Sequence, residues 1–283
     1  MLPLLGLIDY VDLHPMCDYA LHDHSSLCRD SLSLEMLFVW ENKMKAPNRS
    51  IGLLSYSDQV AKLSNHIDIG YETGILYLAP ARSAGRQTLC ASSTEACELN
   101  CIFHTGRGRM KPIIEARTKK TLQFLDDRER FMENLNESIR RVAVRARNKG
   151  VRPAIRLNGT SDIRWENQFW KGKNLMDHWP DIQFYDYTKH IKRCYASMPA
   201  NYYLVFSRSE ENMEDCMRLL RDTRKKVAVV FPKYEKPKTW MGYRCVDGDA
   251  HDLIFLHRGG RIISLSAKGP AKSDNSGFVW REQ

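Results

Sequence analysis

The stretch IQFYDYTKHIKRCYASMPANYYLVFSRSEENMEDCMRLLRDTRKKVAVVFP, residues 182–232, decides the fold class. Short apolar runs, IQFYDY (182–187), YYLVFS (202–207) and KVAVVFP (226–232), alternate with helical patterns, of which SEENMEDCMRLLRDTRK (209–225) is the clearest. Apolar strands that alternate with amphipathic helices predict βαβ units and a parallel sheet. We therefore expect an α/β fold.

The same alternation continues on both sides of this stretch. Further strands are predicted at GILYLAPA (74–81), PAIRL (153–157), YRCV (243–246), DLIFL (252–256) and RIISLS (261–266). Further helices are predicted at 115–149, which Gly150 ends, at 165–179 and at 188–198. The strands recur at about 20 to 28 residues, and this spacing favours a (β/α) barrel or partial barrel. The barrel would carry a three-cysteine loop after its first strand.

Composition and length describe an ordinary globular protein. The chain has 283 residues, of which 43% are hydrophobic and 27% charged. No apolar run approaches the roughly 20 residues that a membrane helix needs, and the start lacks the basic region of a signal peptide. We expect a cytoplasmic protein without a membrane partner, whose cysteines are reduced thiols or metal ligands.

Charge divides the chain into two parts. Residues 1–43 contain two basic and seven acidic residues, a net charge of −5, whereas the remaining residues carry +14. We interpret 1–43 as an N-terminal extension and 44–283 as a single α/β domain. The basic body suggests a polyanionic partner such as nucleic acid, although scattered lysines and arginines also simply keep a surface soluble.

Polar residues follow most of the predicted strands. Parallel sheets carry their chemistry at the carboxyl ends of the strands, so these residues are candidates for one site. They are Asn158, Asp162, Asp186, Lys189, Ser207, Glu210, Asp247, Asp249 and Lys268. Turns and helix caps use the same residue types, and for Ser209 and Glu210 we favour capping. Arg156 lies inside an apolar strand and needs a partner, for which Asp186 is the candidate.

The segment CASSTEACELNC (90–101) spaces its thiols as C-x6-C-x3-C. Cys90, Cys97 and Cys101 could hold a [4Fe–4S] cluster with one iron left open. The alternative is a zinc site completed by His104, although close C-x2-C pairs are absent. Cys245 is a candidate for a remote fourth ligand, and three unrelated cysteines remain a third interpretation. Cys194 and Cys216 fall on predicted helices, where we expect them in the core.

A short basic segment, HTGRGRMK (104–111), follows the cysteines. Gly106 and Gly108 allow close approach of the backbone to a ligand. Arg107 and Arg109 add positive charge, which would suit a phosphate, a carboxylate or an anionic thiolate cluster. The segment is too short to be a nucleotide-binding motif.

Several uncommon short motifs occur in a fixed order, and together they resemble the gene product 88 domain family of tailed bacteriophages and related mobile elements. They are LYLAPA (76–81), the cysteine loop, ARTKKT (116–121), RLNGTSDI (156–163), FYDYTK (184–189), PANYYLVFSRSEEN (199–212), VAVVF (227–231), DGD (247–249) and AKGPAKSDNSGFV (267–279). The resemblance runs from about residue 70 to the end. It implies a phage or mobile-element protein in the host cytoplasm or associated with the virion.

The cysteine loop is also similar to that of radical-SAM-like barrels, in which three cysteines follow the first strand. The spacing here departs from the usual C-x3-C-x2-C. By this resemblance Cys90, Cys97 and Cys101 are cluster ligands. The residues that would line the barrel mouth are Arg156, Asn158, Asp162, Asp186, Lys189, Ser207, Glu210 and Lys268.

Three functions are consistent with the sequence. An iron–sulfur enzyme would bind S-adenosylmethionine at the open iron and use Asp186 or Lys189 for proton transfer. A non-catalytic protein would use a structural iron–sulfur or zinc site and bind nucleic acid or a phage protein. A zinc-containing hydrolase would bind a divalent cation at Asp247 and Asp249, which are more commonly turn residues.

Overall fold

The computed structural model describes residues 52–59, 63 and 65–282. The extension predicted at 1–43 lies outside the described residues. Within the described ranges, none of the helices is both long and apolar enough to cross a bilayer.

Nine strands of the described part of the chain form one sheet. They are β1 (Leu54–Tyr56), β2 (Tyr71–Leu76), β3 (Arg152–Arg156), β4 (Gln183–Thr188), β5 (Tyr202–Ser207), β6 (Val227–Phe231), β7 (Thr239–Trp240), β8 (Tyr243–Asp247) and β9 (Ile262–Ser266). The strands predicted in this part of the chain are present, except at 252–256. The strand predicted at 74–81 is β2, which begins earlier, at Tyr71, and ends at Leu76.

The helices lie mainly between parallel strands. They are α1 (Glu95–Leu99), α2 (Lys111–Asp126), α3 (Arg128–Asn148), α4 (Leu175–His178), α5 (Ile191–Tyr195) and α6 (Met213–Asp222). Short 3₁₀ helices span Ile102–His104, Gly106–Arg109, Trp165–Asn167, Ile254–Leu256 and Gly269–Ser273.

The strand order across the sheet is β1-β2-β3-β4-β5-β6-β9-β8-β7. The pairs from β2 to β6, and onward to β9 and β8, are parallel, while β1 and β7 add antiparallel edges. The α/β prediction is therefore confirmed as a mostly parallel sheet with helices. Among the described strands β1 and β7 end this order, so closure into a barrel is not confirmed.

Apolar side chains cover both faces of the sheet. Alternate residues of a strand point to opposite faces, so β6 contributes Val227 and Val229 to one face and Ala228 to the other. Cys194 and Cys216 pack in the core on the helix-covered face with Leu219 of α6, as predicted. On the opposite face, Ile254 packs with buried residues of the central strands.

Three predicted elements differ in the structure. The helix predicted at 115–149 is two helices, because Asp127 leaves helical geometry and its side chain accepts a 3.2 Å hydrogen bond from the N–H of Arg130. The segment 252–256 contains the 3₁₀ helix Ile254–Leu256, which packs on the sheet face and does not extend the sheet. The helix predicted at 165–179 is reduced to one 3₁₀ turn and the short α4.

Candidate functional site

A cavity of about 220 Å³ lies at the carboxyl ends of the parallel strands. Its walls come from the cysteine loop, from the loops after β3 and β4, and from the segment after β9. The predicted site residues that line it are Cys90, Cys97, Cys101, Arg156, Asn158, Asp162, Lys189, Ser207, Asp249 and Lys268. Residues from six separate parts of the chain are thus brought together around one space.

Other predicted site residues do not line this cavity. Arg107 and Arg109 are exposed on the 3₁₀ helix Gly106–Arg109. Glu210 has a buried carboxylate oxygen without a hydrogen-bond partner among the described residues, but this residue does not line the cavity. Asp186 lies beneath the wall. It is fully buried and is not among the lining residues, so its carboxyl group does not face the cavity, unlike that of a proton-transfer residue as predicted.

The cysteine loop is ordered by its own polar residues. Thr94 caps α1 by accepting a 3.1 Å hydrogen bond from the N–H of Cys97. The hydroxyl of Ser93 donates to the carbonyl of Cys90 at 2.8 Å. The Cys90 thiol accepts from the N–H of Ala81 at 3.4 Å. The loop is therefore held by its own polar residues, while Ala81 outside the loop positions the Cys90 sulfur.

The three cysteines line this cavity and also a second, outer depression of about 460 Å³. Burial raises the pKa of Cys90 to about 12 and raises that of Cys101 as well. His104 lies on the outer depression with them, whereas Cys245 packs against the core around Trp240 and lines neither space. Within the described ranges, no three His, Cys, Asp or Glu side chains are grouped as a metal ion requires.

Asp186 organises the loop after β3 from below. Its carboxylate accepts hydrogen bonds from the backbone N–H of Asn158 at 2.7 Å and from the hydroxyl of Tyr202 at 2.7 Å. Burial raises the pKa of Asp186 to about 7. The side-chain oxygen of Asn158 in turn accepts from the indole of Trp165 at 3.1 Å and from Ser161 at 3.0 Å. Asp186 and Asn158 therefore position the cavity wall.

Asp162 joins two neighbouring loops. Its carboxylate accepts from the N–H of Lys189 at 2.8 Å and from the guanidinium of Arg193 at 2.9 Å. Arg193 is also buried against Glu166, to which it donates two 2.8 Å hydrogen bonds. The ammonium group of Lys189 donates a 3.0 Å hydrogen bond to the hydroxyl of Ser207. Asp162 thus fixes the backbone from which Lys189 enters the cavity.

Arg156 is paired with a residue that the sequence did not suggest. Its guanidinium donates to both carboxylate oxygens of Asp252, at 2.9 and 2.8 Å. The predicted Arg156–Asp186 pair is therefore wrong. Asp252 precedes the 3₁₀ helix Ile254–Leu256, whose packing on the sheet face brings the carboxylate beneath the cavity.

The carboxylates of Asp247 and Asp249 form ion pairs with lysine side chains. Lys236 forms ion pairs with both carboxylates, and Lys268 donates to Asp249 at 2.9 Å. Burial alone would raise the pKa of Asp249, but hydrogen bonds from Ser266 and Lys268 hold it below its usual range. Two ammonium groups occupy the positions that a cation would take, so the predicted divalent cation site at Asp247 and Asp249 is not supported.

The segment after β9 closes the cavity. The buried Arg208 donates to the carbonyls of Gly277 and Phe278, at 2.6 and 3.0 Å. The side chain of Asn100, at the end of α1, donates to Asp274 at 2.7 Å. The ring of Phe278 lines the cavity. The cysteine loop and the carboxyl-terminal segment are thus held against each other over the strand ends.

The sequence model of the family described as gene product 88 matches residues 53–282, which include every residue of this cavity. The chain belongs to the gene product 88 family. This is a phage-type family, and the match begins earlier than the resemblance from about residue 70 suggested. No curated protein and no solved structure is significantly similar to the chain.

Several residues of the gene product 88 cavity were not predicted. Phe278 lines it, Tyr202 supports Asp186, and Asn100 ties the cysteine loop to Asp274. Tyr187, the last residue of the predicted strand 182–187, lines the cavity as well. For Tyr202, Asn100 and Asp274 the sequence holds no local signal, since their partners are distant in the chain.

Proposed function

We propose that this gene product 88 protein is an iron–sulfur enzyme that acts on a small molecule in the cavity. Cys90, Cys97 and Cys101 would hold a [4Fe–4S] cluster, and S-adenosylmethionine would be its radical-SAM-like co-ligand. One observation carries the proposal: the three thiols line the same cavity as the polar residues at the strand ends. A catalytic centre on a parallel sheet requires this convergence.

The donor set suits a cluster in its chemistry. Three thiols and no fourth cysteine line the cavity among the described residues, which matches a cluster with one iron free of cysteine. The buried thiols are poor thiolates on their own, because burial raises the pKa of Cys90 and Cys101, and a bound metal would supply the missing positive charge. The thiols of the ligand-free chain are not drawn into metal-binding geometry, so binding would have to move the loop.

When bound, such a cluster supplies an electron and an open coordination position. The protein's own residues would do the rest. Asn158 and Asp162 hold the loops after β3 and β4, and Asp186 holds Asn158 from below. Of the two candidates for proton transfer only Lys189 faces the cavity, and its ammonium could donate a proton to a bound ligand.

Anaerobic purification and reconstitution with iron and sulfide test the proposal directly. We expect brown protein with broad visible absorbance and a cubane-type electron paramagnetic resonance signal after reduction. Cys90→Ala, Cys97→Ala and Cys101→Ala should each lose the colour. Cys245→Ala is the matched control, because this half-buried cysteine is outside the cavity and its loss should leave the cluster intact.

Two outcomes would contradict the proposal. Colourless protein with one equivalent of zinc would indicate the zinc alternative with a structural role. Equal cluster content in Cys97→Ala and in the wild type would show that the thiols of the cavity are not the ligands. Reductive cleavage of S-adenosylmethionine by the cluster-loaded wild type would support the enzyme, and its absence would leave a non-catalytic cluster.

A non-catalytic binding function is favoured by one separate feature. Within residues 99–113, the side chains of Leu99 and Met110 are 65% and 52% exposed, and Ile102 and Ile113 are also exposed. Arg107 and Arg109 lie in the same segment and are exposed too. Exposed apolar and basic residues together are typical of a contact surface for a phage protein or a nucleic acid. Binding to nucleic acid would fall steeply with salt, and absence of binding at low salt would exclude it.

A further inference from the structure

The cavity contains hydrogen-bond donors that have no acceptor among the described residues. The Nε of Arg156 and the hydroxyl of Tyr187 are buried and have no hydrogen-bond partner in the part of the chain that the structure describes. Arg156 is only 8% exposed, and its guanidinium lies over the Tyr187 ring at 4.8 Å from the centroid. Buried donors normally have partners, so two orphaned donors in one cavity wall indicate that a ligand supplies the acceptors.

One cation that lines the cavity, Lys189, has no ion pair among the residues that the structure describes. Arg156 is paired with Asp252, and Lys268 with Asp249. Asp162 is paired with Arg193, which approaches from outside the cavity. Lys189 forms no ion pair with any described carboxylate, and its ammonium contacts only the Ser207 hydroxyl and the face of Phe278. An unpaired ammonium in a partly buried site favours an anion.

The unpaired groups lie side by side. Tyr187 lies near the end of β4, Lys189 follows that strand directly, and both residues line the cavity. Arg156 stacks on Tyr187 from the neighbouring β3. The rest of the wall includes Val230, Leu265, Ala271 and Phe278, which are apolar. The cavity therefore combines a cluster of donors with an apolar wall.

We propose that the Arg156–Tyr187–Lys189 side of the cavity binds the oxyanion head group, a carboxylate or a phosphate, of a small molecule whose body is apolar. Lys189 neutralises the charge with Ser207 beside it, and the Tyr187 hydroxyl and Arg156 Nε donate to the oxygens. The cavity is the one assigned above to the proposed enzyme. Binding of the head group requires only the protein, so it can be measured without any metal.

Binding of four related probes to the metal-free full-length protein tests this assignment. The probes are phenylacetate, phenyl phosphate, the neutral phenylacetamide and the cationic phenethylamine, each titrated by ligand-observed NMR. We expect phenylacetate or phenyl phosphate to bind at least about tenfold more tightly than phenylacetamide, and phenethylamine not to bind, because charge-assisted hydrogen bonds are the stronger ones. The two anions distinguish a carboxylate from a phosphate ligand.

Two variants locate the binding site. Lys189→Met should weaken anion binding at least about tenfold, whereas Lys192→Met, an exposed lysine on α5, should leave it unchanged. Tyr187→Phe removes a hydroxyl that no described residue uses, so it should fold normally and still weaken anion binding several-fold. It keeps the test decisive if Lys189→Met fails to fold.

Three results would overturn the inference: no binding of either anion at millimolar concentration, equal binding of the acid, the amide and the amine, or unchanged anion binding in both Lys189→Met and Tyr187→Phe. The iron content of the reconstituted protein is measured separately. A colourless protein that binds phenylacetate through Lys189 would support this inference and contradict the iron–sulfur function. A brown protein that binds neither anion would support the iron–sulfur function and contradict this inference.

Discussion

The backbone N–H of Lys189 donates a 2.8 Å hydrogen bond to the Oδ2 of Asp162, so the loop after β3 determines where the loop after β4 begins. Oδ1 of the same carboxylate pairs with Arg193. One side chain therefore fixes two of the loops that form the cavity, and its removal should affect both stability and ligand binding.

Asp162→Asn tests this coupling. The amide group can accept from only one of the two donors, so either the Lys189 N–H loses its acceptor or Arg193 keeps only its other partners, such as Glu166. We expect the free energy of unfolding in urea to fall by about 2 kcal/mol, within the range for leaving a buried donor without its acceptor. Asp181→Asn, an exposed carboxylate of the same type, should change it by less than about 0.5 kcal/mol. Equal effects of the two variants would contradict the role of Asp162.

Asp186 should make stability depend on pH. Burial raises its folded-state pKa to about 7 from an ordinary value of 3.8. The native state therefore binds more protons than the unfolded state between these values, and the contribution of this group to stability falls as pH rises through that window. Asp186→Asn cannot titrate.

The measurement is urea unfolding of both proteins at several values from about pH 4 to pH 7. The stability of wild type relative to Asp186→Asn should decrease over this window, by up to about 4 kcal/mol. Parallel pH profiles for the two proteins would show that Asp186 is ionised in the native state across the whole range.

Gly159 lies where the backbone passes close to the end of β2. A Cβ at this position would come within 2.7 Å of the carbonyl oxygen of Leu76 and of the Tyr77 ring. Gly159→Ala should therefore destabilise the protein by about 2 kcal/mol and weaken ligand binding, since Gly159 lines the cavity. Gly52→Ala is the control, because its Cβ would meet only a guanidinium nitrogen at 3.7 Å. A thermal unfolding temperature for Gly159→Ala equal to that of the control would refute the close approach.

The link between Asn100 and Asp274 can be tested by exchange. Asn100→Asp places two carboxylates at the 2.7 Å contact and should destabilise the protein by about 2 kcal/mol or more at neutral pH, with recovery in acid. The double variant Asn100→Asp/Asp274→Asn restores a donor and an acceptor, so it should recover part of this loss in a double-mutant cycle. An additive double variant would show that the two side chains do not interact.

The sequence was sufficient where function depends on local pattern. Alternation identified β3 to β6 and α6, and the rule that parallel strands present their chemistry at one edge brought Asn158, Asp162, Lys189, Ser207 and Lys268 to a single cavity. Cysteine spacing drew attention to a loop whose three thiols face that cavity. These inferences needed only the direction of each strand and the residue that follows it.

The sequence was insufficient where two distant groups compete for one partner. Arg156 required an acid, but the choice between Asp186 and Asp252 depended on the 3₁₀ helix at Ile254–Leu256, which resembled a strand. The charges of Asp247 and Asp249 suggested a cation, but Lys236 and Lys268 already satisfy them. Neither pairing has a signature in neighbouring residues.

The contact between Asn100 and Asp274 joins residues that are 174 positions apart. Closing so long a loop costs chain entropy before any contact compensates for it. Neighbouring strands such as β4 and β5 pair over far shorter separations, so the sheet can form before this contact does. The cavity should therefore be completed late in folding, and until then the cysteine loop stands open on the side that Phe278 later covers. Any inorganic centre delivered to the newly made protein would have its easiest entry during that interval.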